Sequence, residues 1–219
     1  MKTVNVITEG QSERDFINVV LRPYTKSLGL TLNPVVVATG SKHGRPHQGG
    51  TVKFEVLKPQ LDEFLQLGTV LTTTMFDYVQ LHKSFFELPD LSSSSDMPAA
   101  EDIEAAMYRA LGCPSNFIPY IMQYEFEALL FSTKTNLPNR MNATTEQRTQ
   151  FLSVFRAFPN PEEINSQSSQ SPSRRIKRIF PKFRKITHGV SALERIGVDA
   201  IRQRCPRFNW WLGQLLTGA

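Results

Sequence analysis

Apolar runs alternate with segments of helical periodicity through most of the chain, and this alternation sets the predicted architecture. The first run begins at Val4 and ends at Glu9, and a helix is predicted directly after it over 11–21. Further strands are predicted over 34–39, 69–76 and 117–124, with helices over 51–67 and 99–111 between them. Alternating strands and helices form βαβ units, so we expect an α/β fold, a three-layer sandwich with a mainly parallel, four-stranded sheet.

The C-terminal third has a different pattern, and a boundary is predicted near residue 140. Residues 1–140 are expected to form the α/β domain, and residues 141–219 a helical, basic appendage packed on it. At 219 residues with 40% hydrophobic content, the chain can bury a proper core. No stretch is predicted to span a bilayer and the N-terminus lacks a signal-peptide core, so we expect a cytoplasmic protein without membrane contact.

Three acids stand where predicted strands end. Glu9 follows the first strand, Asp77 the third and Glu125 the fourth. In parallel α/β sheets the carboxyl ends of the strands share one edge, so these carboxylates should converge there. Such a cluster needs a proton or a cation to offset its repulsion, and hard carboxylate oxygens suit Mg²⁺ or Mn²⁺. The alternative is that each acid merely begins a helix, where the dipole favours it.

Positive charge is concentrated in one late segment. Between Pro172 and Leu193 there are seven Lys or Arg and no acid, so subtracting seven from the net charge of +5 leaves about −2 for the rest. A concentrated basic segment favours contact with a polyanion such as a nucleic acid. The candidates for phosphate contact are Arg174, Arg175, Lys182 and Lys185. A solvated face is the alternative, and a third is that these cations neutralise the acidic site within the fold.

Several motifs together resemble an uncharacterised bacterial family with a Toprim-like (topoisomerase–primase) domain. The matching stretches are Val6–Glu13, Met75–Tyr78, Glu125–Phe131, Ser171–Ile176 and Cys205–Asn209. They extend over essentially the whole chain, and the block from Glu125 to Phe131 is the most specific of them.

The resemblance implies a Toprim-like fold and a Mg²⁺-dependent nucleic-acid enzyme, specifically a nuclease found beside AAA or ABC-type ATPases in anti-phage and mobile-element loci. In Toprim domains the first-strand glutamate acts as general acid/base and a later Asp-x-Asp pair holds the metal. Carried onto this chain, Glu9 takes the first role and Asp77 the second. Val79 stands where the second aspartate would be, so Glu125 or Glu127 must complete the metal shell. The chain has no phosphate-binding loop of the Walker type, so any ATPase partner is a separate polypeptide.

Two hypotheses follow. The first is a metal-dependent phosphodiesterase acting on DNA or RNA, with Glu9 in proton transfer and Asp77 with Glu125 at the metal. Glu127 lies two residues from Glu125, a spacing that does not share a helical face, so only one of the two is expected to point at the ion. The second is a catalytically silent adaptor that binds nucleic acid or the ATPase. A homo-oligomer is compatible with either hypothesis.

Overall fold

The computed structural model of the chain describes residues 2–42, 45–48, 51–66, 68, 70–89, 91, 97–164 and 170–218, with the backbone alone for 39–48. Its strands are β1 (Lys2–Thr8), β2 (Leu30–Val36), β3 (Ala38–Lys42), β4 (Arg45–Gln48), β5 (Leu71–Asp77), β6 (Phe117–Ile118) and β7 (Ile121–Met122). The main sheet has the order β2-β1-β5-β6, with β7 also pairing with β5, and each of these pairings is parallel. The predicted mainly parallel sheet is therefore confirmed.

Ten α-helices surround this sheet in the described part of the chain. They are α1 (Gln11–Phe16), α2 (Arg22–Ser27), α3 (Phe54–Gln66), α4 (Ala100–Ala110), α5 (Asn136–Arg140), α6 (Thr145–Ala157), α7 (Pro172–Ile179), α8 (Ser191–Ile196), α9 (Val198–Arg204) and α10 (Pro206–Thr217). Shorter helical turns include two π-helical ones, at Ile17–Leu21 and Lys185–Val190, and four 3₁₀ ones, at Tyr78–Gln80, Lys83–Phe85, Phe126–Ser132 and Pro161–Glu163. None of the helices described combines the length and hydropathy needed to cross a membrane.

Each face of the sheet is covered by its own hydrophobic layer, as expected for three layers. Val4 and Val6 of β1 belong to one buried cluster, and Ile7 belongs to the other. This division follows from the two-residue alternation of side chains along a strand. The first cluster includes residues of α1 and the C-terminal helices, and the second includes residues of α3 and α4.

The C-terminal helices share their core with the sheet. Trp211 of α10 is fully buried, stacks on Tyr120 with ring centroids 4.8 Å apart, and donates its indole N–H to Thr73 Oγ1 of β5 over 2.9 Å. Burial of an aromatic ring of this size contributes strongly to a core. The boundary near residue 140 remains a prediction, and the buried cluster extends across it.

The fourth strand is shorter than the sequence pattern suggested. Pro119 separates β6 from β7, because proline has no N–H to give to a β-ladder. The Thr74 hydroxyl bridges the gap: it accepts from the Tyr120 N–H at 2.8 Å and donates to the Tyr120 carbonyl at 2.9 Å. The backbone of β3 and β4 forms a separate, antiparallel two-stranded sheet, with residues 43, 44, 49 and 50 outside the described chain.

Candidate functional site

The carboxyl ends of β1 and β5 meet at one edge of the sheet and bring two of the predicted acids together. Thr8 at the end of β1 pairs with Met75 of β5, so Glu9 and Asp77 follow neighbouring strands at the same level. Both acids are buried, with 7% and 2% of their surface exposed. Carboxylates this far from solvent need internal partners or protons.

Lys185 supplies the positive charge at this edge. Its ammonium lies 3.1 Å from Glu13 Oε1, 3.6 Å from Asp77 Oδ2 and 3.6 Å from Glu127 Oε2. It also lies 5.1 Å from the centre of the Phe126 ring, in cation–π geometry. We define Glu9, Glu13, Asp77, Glu127 and Lys185 as the acidic cluster. One cation from the C-terminal part of the chain is thus shared by acids from three elements.

Glu13 is a member that the sequence interpretation missed. It lies in α1, four residues after Glu9, and the turn at Gly10 brings the two acids close enough for the charge of Glu13 to raise the pKa of Glu9. Gly10 between them has an extended backbone (φ −151°, ψ −172°), which any residue adopts. Its lack of a side chain matters for space, since a Cβ there would lie 3.2 Å from Glu13 Oε2. The signal for Glu13 was the Glu-Gly-x-x-Glu spacing.

Asp77 connects the sheet to the segment that carries Glu127. Its Oδ1 accepts from the backbone N–H of Phe126 at 2.8 Å, and its Oδ2 accepts from Gln80 Nε2 at 2.9 Å. The first bond fixes the start of the 3₁₀ turn that runs from Phe126 to Ser132. Glu127 is the second residue of this turn, and the turn directs its carboxylate to Lys185.

Glu125 points elsewhere, although it was a predicted metal ligand. Its Oε2 accepts from the backbone N–H of Ser173 at 2.7 Å, and its Oε1 accepts from the Ser173 hydroxyl at 3.0 Å. The carboxylate therefore binds the first turn of α7, where the helix dipole favours a negative charge. The side chains of Glu125 and Glu127 therefore point in different directions, Glu125 to Ser173 and Glu127 to Lys185.

Val79, which the resemblance places at the position of the second Toprim aspartate, is 39% exposed. Its backbone N–H donates to the Tyr124 carbonyl at 3.2 Å. The acids that lie with Glu9 and Asp77 around Lys185 are Glu127, which was a sequence candidate, and Glu13, which was not.

Burial and mutual repulsion shift the ionisation of the acidic cluster. Burial, with the charges of Asp77 and Glu13, raises the pKa of Glu9 from 4.5 to about 8. Burial likewise raises the pKa of Asp77 to about 7, although Lys185 opposes the shift, and burial raises the pKa of Glu127. Burial disfavours the charged form of Lys185, but Asp77, Glu127 and Glu13 together outweigh it and raise the pKa of its ammonium. With all four carboxylates ionised, the cluster would hold more negative charge than one lysine offsets.

The predicted phosphate-binding residues have different surroundings. Arg174 and Lys182 are exposed. Arg175 is half-buried; its Nε donates to the Gln170 carbonyl at 2.6 Å, and its guanidinium lies 5.3 Å from the centre of the Phe158 ring. Lys185 belongs to the acidic cluster. The alternative in which a cation neutralises the acids within the fold therefore describes Lys185, whereas Arg174 and Lys182 face solvent.

Residues 8–216 match a family model described as a domain of unknown function, DUF4276. The chain belongs to the DUF4276 family. A search of curated proteins found no match. Among solved structures, the chain is similar to the C-terminal region of the OLD protein of Xanthomonas campestris pv. campestris. The two share 14% identity over 96% of this chain and 95% of that one, with a TM-score of 0.37.

The acidic cluster of this DUF4276 protein suits a divalent cation in donor type. The groups it offers are carboxylate oxygens, and within the part of the chain that the structure describes Glu9 Oε1 is buried without a hydrogen-bond partner. As the side chains are placed, the described residues contain no group of three or more His, Cys, Asp or Glu in metal-binding geometry. The ammonium of Lys185 lies among the acids instead. A metal ion would therefore have to share this space with Lys185 or displace it.

Proposed function

We propose that this DUF4276 protein is a metal-dependent phosphodiesterase of Toprim type that acts on DNA or RNA. The observation that carries the proposal is the convergence of Glu13, Asp77 and Glu127 on Lys185 at the carboxyl edge of a parallel sheet, with Glu9 beside Asp77 and Glu13. Ligands of α/β folds bind at this edge. A buried excess of carboxylates with raised pKa values is also typical of functional sites.

The ion implied is Mg²⁺ or Mn²⁺, with Glu9, Glu13, Asp77 and Glu127 as the residues that would hold it. When bound, such an ion stabilises negative charge on a phosphoryl group and lowers the pKa of water. Glu9 is assigned to proton transfer, since its pKa of about 8 lies near neutral pH and its Oε1 has no hydrogen-bond partner among the described residues. Lys185 keeps the acids together and offsets part of the charge of an incoming phosphate.

We infer from the Toprim-like motifs that the protein works with a separately encoded AAA or ABC-type ATPase in an anti-phage or mobile-element system. The chain itself contains no Walker-type loop for nucleotide phosphates, which supports a partner as the site of ATP hydrolysis. Homo-oligomerisation is compatible with this proposal.

Cleavage by the purified protein tests the function. Labelled plasmid, single strands and tRNA are incubated with Mg²⁺ or Mn²⁺, with and without the ATPase and nucleotide. We expect metal-dependent cleavage by the wild type and its loss in Asp77→Asn, with retention in Glu55→Gln, an exposed acid of α3. Intact substrates under all conditions would contradict the nuclease proposal.

A silent adaptor is the second candidate. Two observations favour it: Val79 stands in place of the second aspartate, and Lys185 lies among the carboxylates. An adaptor predicts binding of nucleic acid or of the ATPase without cleavage by the wild type, and with no effect of Asp77→Asn on that binding. The assay above separates the two candidates directly.

A further inference from the structure

A basic groove lies beside the acidic cluster, on the C-terminal helical part of the chain. Its volume is about 620 Å³, and its polar lining residues are Arg140, Asn142, Lys182, Arg184, Thr187 and His188. Among the described residues, no acid lines it. Three permanent cations and several hydrogen-bond donors thus face one solvent-filled space.

The groove is linked to the acidic cluster by a single peptide bond. Arg184 has an extended backbone (φ −126°, ψ 123°) immediately before Lys185. Consecutive Cα atoms are about 3.8 Å apart. Lys185 reaches the acids, while Arg184 lines the groove. The distance between the groove and the acidic cluster is therefore set by the lengths of these two neighbouring side chains.

Local contacts hold the donors of the groove in place. Arg140 Nε donates to Ser191 Oγ at 2.9 Å, which orients its guanidinium. His188 Nδ1 accepts from the Arg184 backbone N–H at 3.0 Å, so the neutral ring carries its hydrogen on Nε2 as a donor. The ring also packs near Phe183, with centroids 6.3 Å apart. Burial, with Arg140 and Arg184, lowers the pKa of His188, which favours this neutral form.

We propose that this groove binds backbone phosphates of the nucleic acid, next to the phosphodiester bond that would be cleaved at the acidic cluster. The inference rests on the proposed function and specifies how its substrate is held. Guanidinium and ammonium groups are the usual protein contacts to backbone phosphates. Among the described residues, no acid forms an ion pair with Arg140, Lys182 or Arg184, so their charges are available to such a ligand. A volume of about 620 Å³ leaves room for more than one phosphate group.

The test is the salt dependence of oligonucleotide binding in EDTA, where cleavage does not interfere. The slope of log K against log salt is negative, and each phosphate contact that is lost reduces its magnitude by about 0.7 for a single strand and about 0.9 for a duplex. We expect the double variant Lys182→Ala with Arg184→Ala to reduce the magnitude of this slope by about 1.5. Thr187→Glu, which adds a negative charge and keeps every cation, should weaken binding at low salt. Lys26→Ala, an exposed cation of α2 at the opposite end of the strands, should match the wild type.

Several outcomes would overturn the inference. An unchanged slope in the double variant, confirmed as folded by circular dichroism, would mean that the groove makes no backbone contact, as for a site that binds an acidic protein. The groove would be assigned to free phosphate if the double variant kept its affinity for the oligonucleotide but lost the binding of inorganic phosphate that calorimetry detects in the wild type. Absence of oligonucleotide binding by the wild type also overturns it. Asp77→Asn measured in parallel separates the two proposals, because it should abolish cleavage while keeping the full salt slope.

Discussion

Lys185 Nζ lies 3.1 Å from Glu13 Oε1, which joins a residue of the C-terminal basic segment to the first helix of the chain. The same ammonium lies 3.6 Å from both Asp77 and Glu127. Acids from three separate elements thus depend on one cation for their charge balance. The stability of this edge of the sheet and its capacity for a divalent ion should both depend on Lys185.

Replacing Lys185 with Met should destabilise the protein, and more so at high pH. Loss of one partner from a buried ion pair costs about 3–5 kcal/mol, and the partial exposure of Lys185 places the expected cost near the lower end. At pH 5 Asp77, whose pKa burial raises to about 7, takes up a proton and the cost should shrink. Urea unfolding at pH 5 and pH 8.5 measures it. Lys177→Met, an exposed cation of α7, should change stability by less than about 0.5 kcal/mol, and an equal loss there would refute the assignment.

Glu9→Gln should flatten the pH dependence of stability. The folded pKa of Glu9 is about 8, above its ordinary value of 4.5, so the folded state binds the proton more tightly than the unfolded state. The contribution of the protonated Glu9 to the free energy of unfolding is therefore fully present below about pH 4.5. It is lost as pH rises through 8, by up to a few kcal/mol. Glutamine mimics the protonated acid, so the variant should gain on the wild type between pH 5 and pH 9 in EDTA. If the free energy of unfolding changes with pH in the same way in both proteins, the pKa of Glu9 is not raised in the folded state.

Gly10→Ala should leave the fold intact and disturb Glu13. The backbone there suits alanine, but the new Cβ would lie 3.2 Å from Glu13 Oε2 and push the carboxylate away. The free energy of unfolding should change by less than about 1 kcal/mol. Cleavage activity should fall at least several-fold, as measured by initial rates. Full activity in this variant would exclude a role for the present position of Glu13.

Trp211→Phe should show whether α10 is integral to the sheet. The change removes the indole N–H that Thr73 Oγ1 accepts at 2.9 Å and weakens the stack on Tyr120. A loss of about 1–3 kcal/mol is expected from a buried hydrogen bond and a smaller ring. Trp210→Phe is the matched control, because Trp210 is 51% exposed. If both substitutions have the same effect on the denaturation midpoint, the C-terminal helix does not anchor the core.

The parallel sheet could be predicted because its strands are continuous apolar runs separated by helical periodicity. The meeting of Glu9 and Asp77 followed from the rule that parallel strands share a carboxyl edge. The shortness of the fourth strand could not be inferred in this way. There the Thr74 hydroxyl replaces backbone hydrogen bonds of the sheet at Tyr120, and this is a contact between residues far apart in sequence.

The partners of the acids depended on packing that no local pattern encodes. Lys185 was one of seven cations in a basic segment, and only the path of the chain after α7 directs it into the sheet edge. Glu125 was a strong sequence candidate, but Ser173 at the start of α7 binds it. Glu127, two residues later, lies near Lys185 because Asp77 fixes the turn that precedes it.

The most direct test of the account is a Mn²⁺ titration of the wild type, followed by electron paramagnetic resonance of the free ion. The account predicts saturable binding that falls at least tenfold in Glu127→Gln and Glu13→Gln and persists in Glu125→Gln, the neighbouring acid that binds Ser173. It would be contradicted by no binding in the wild type, or by binding that disappears in Glu125→Gln alone.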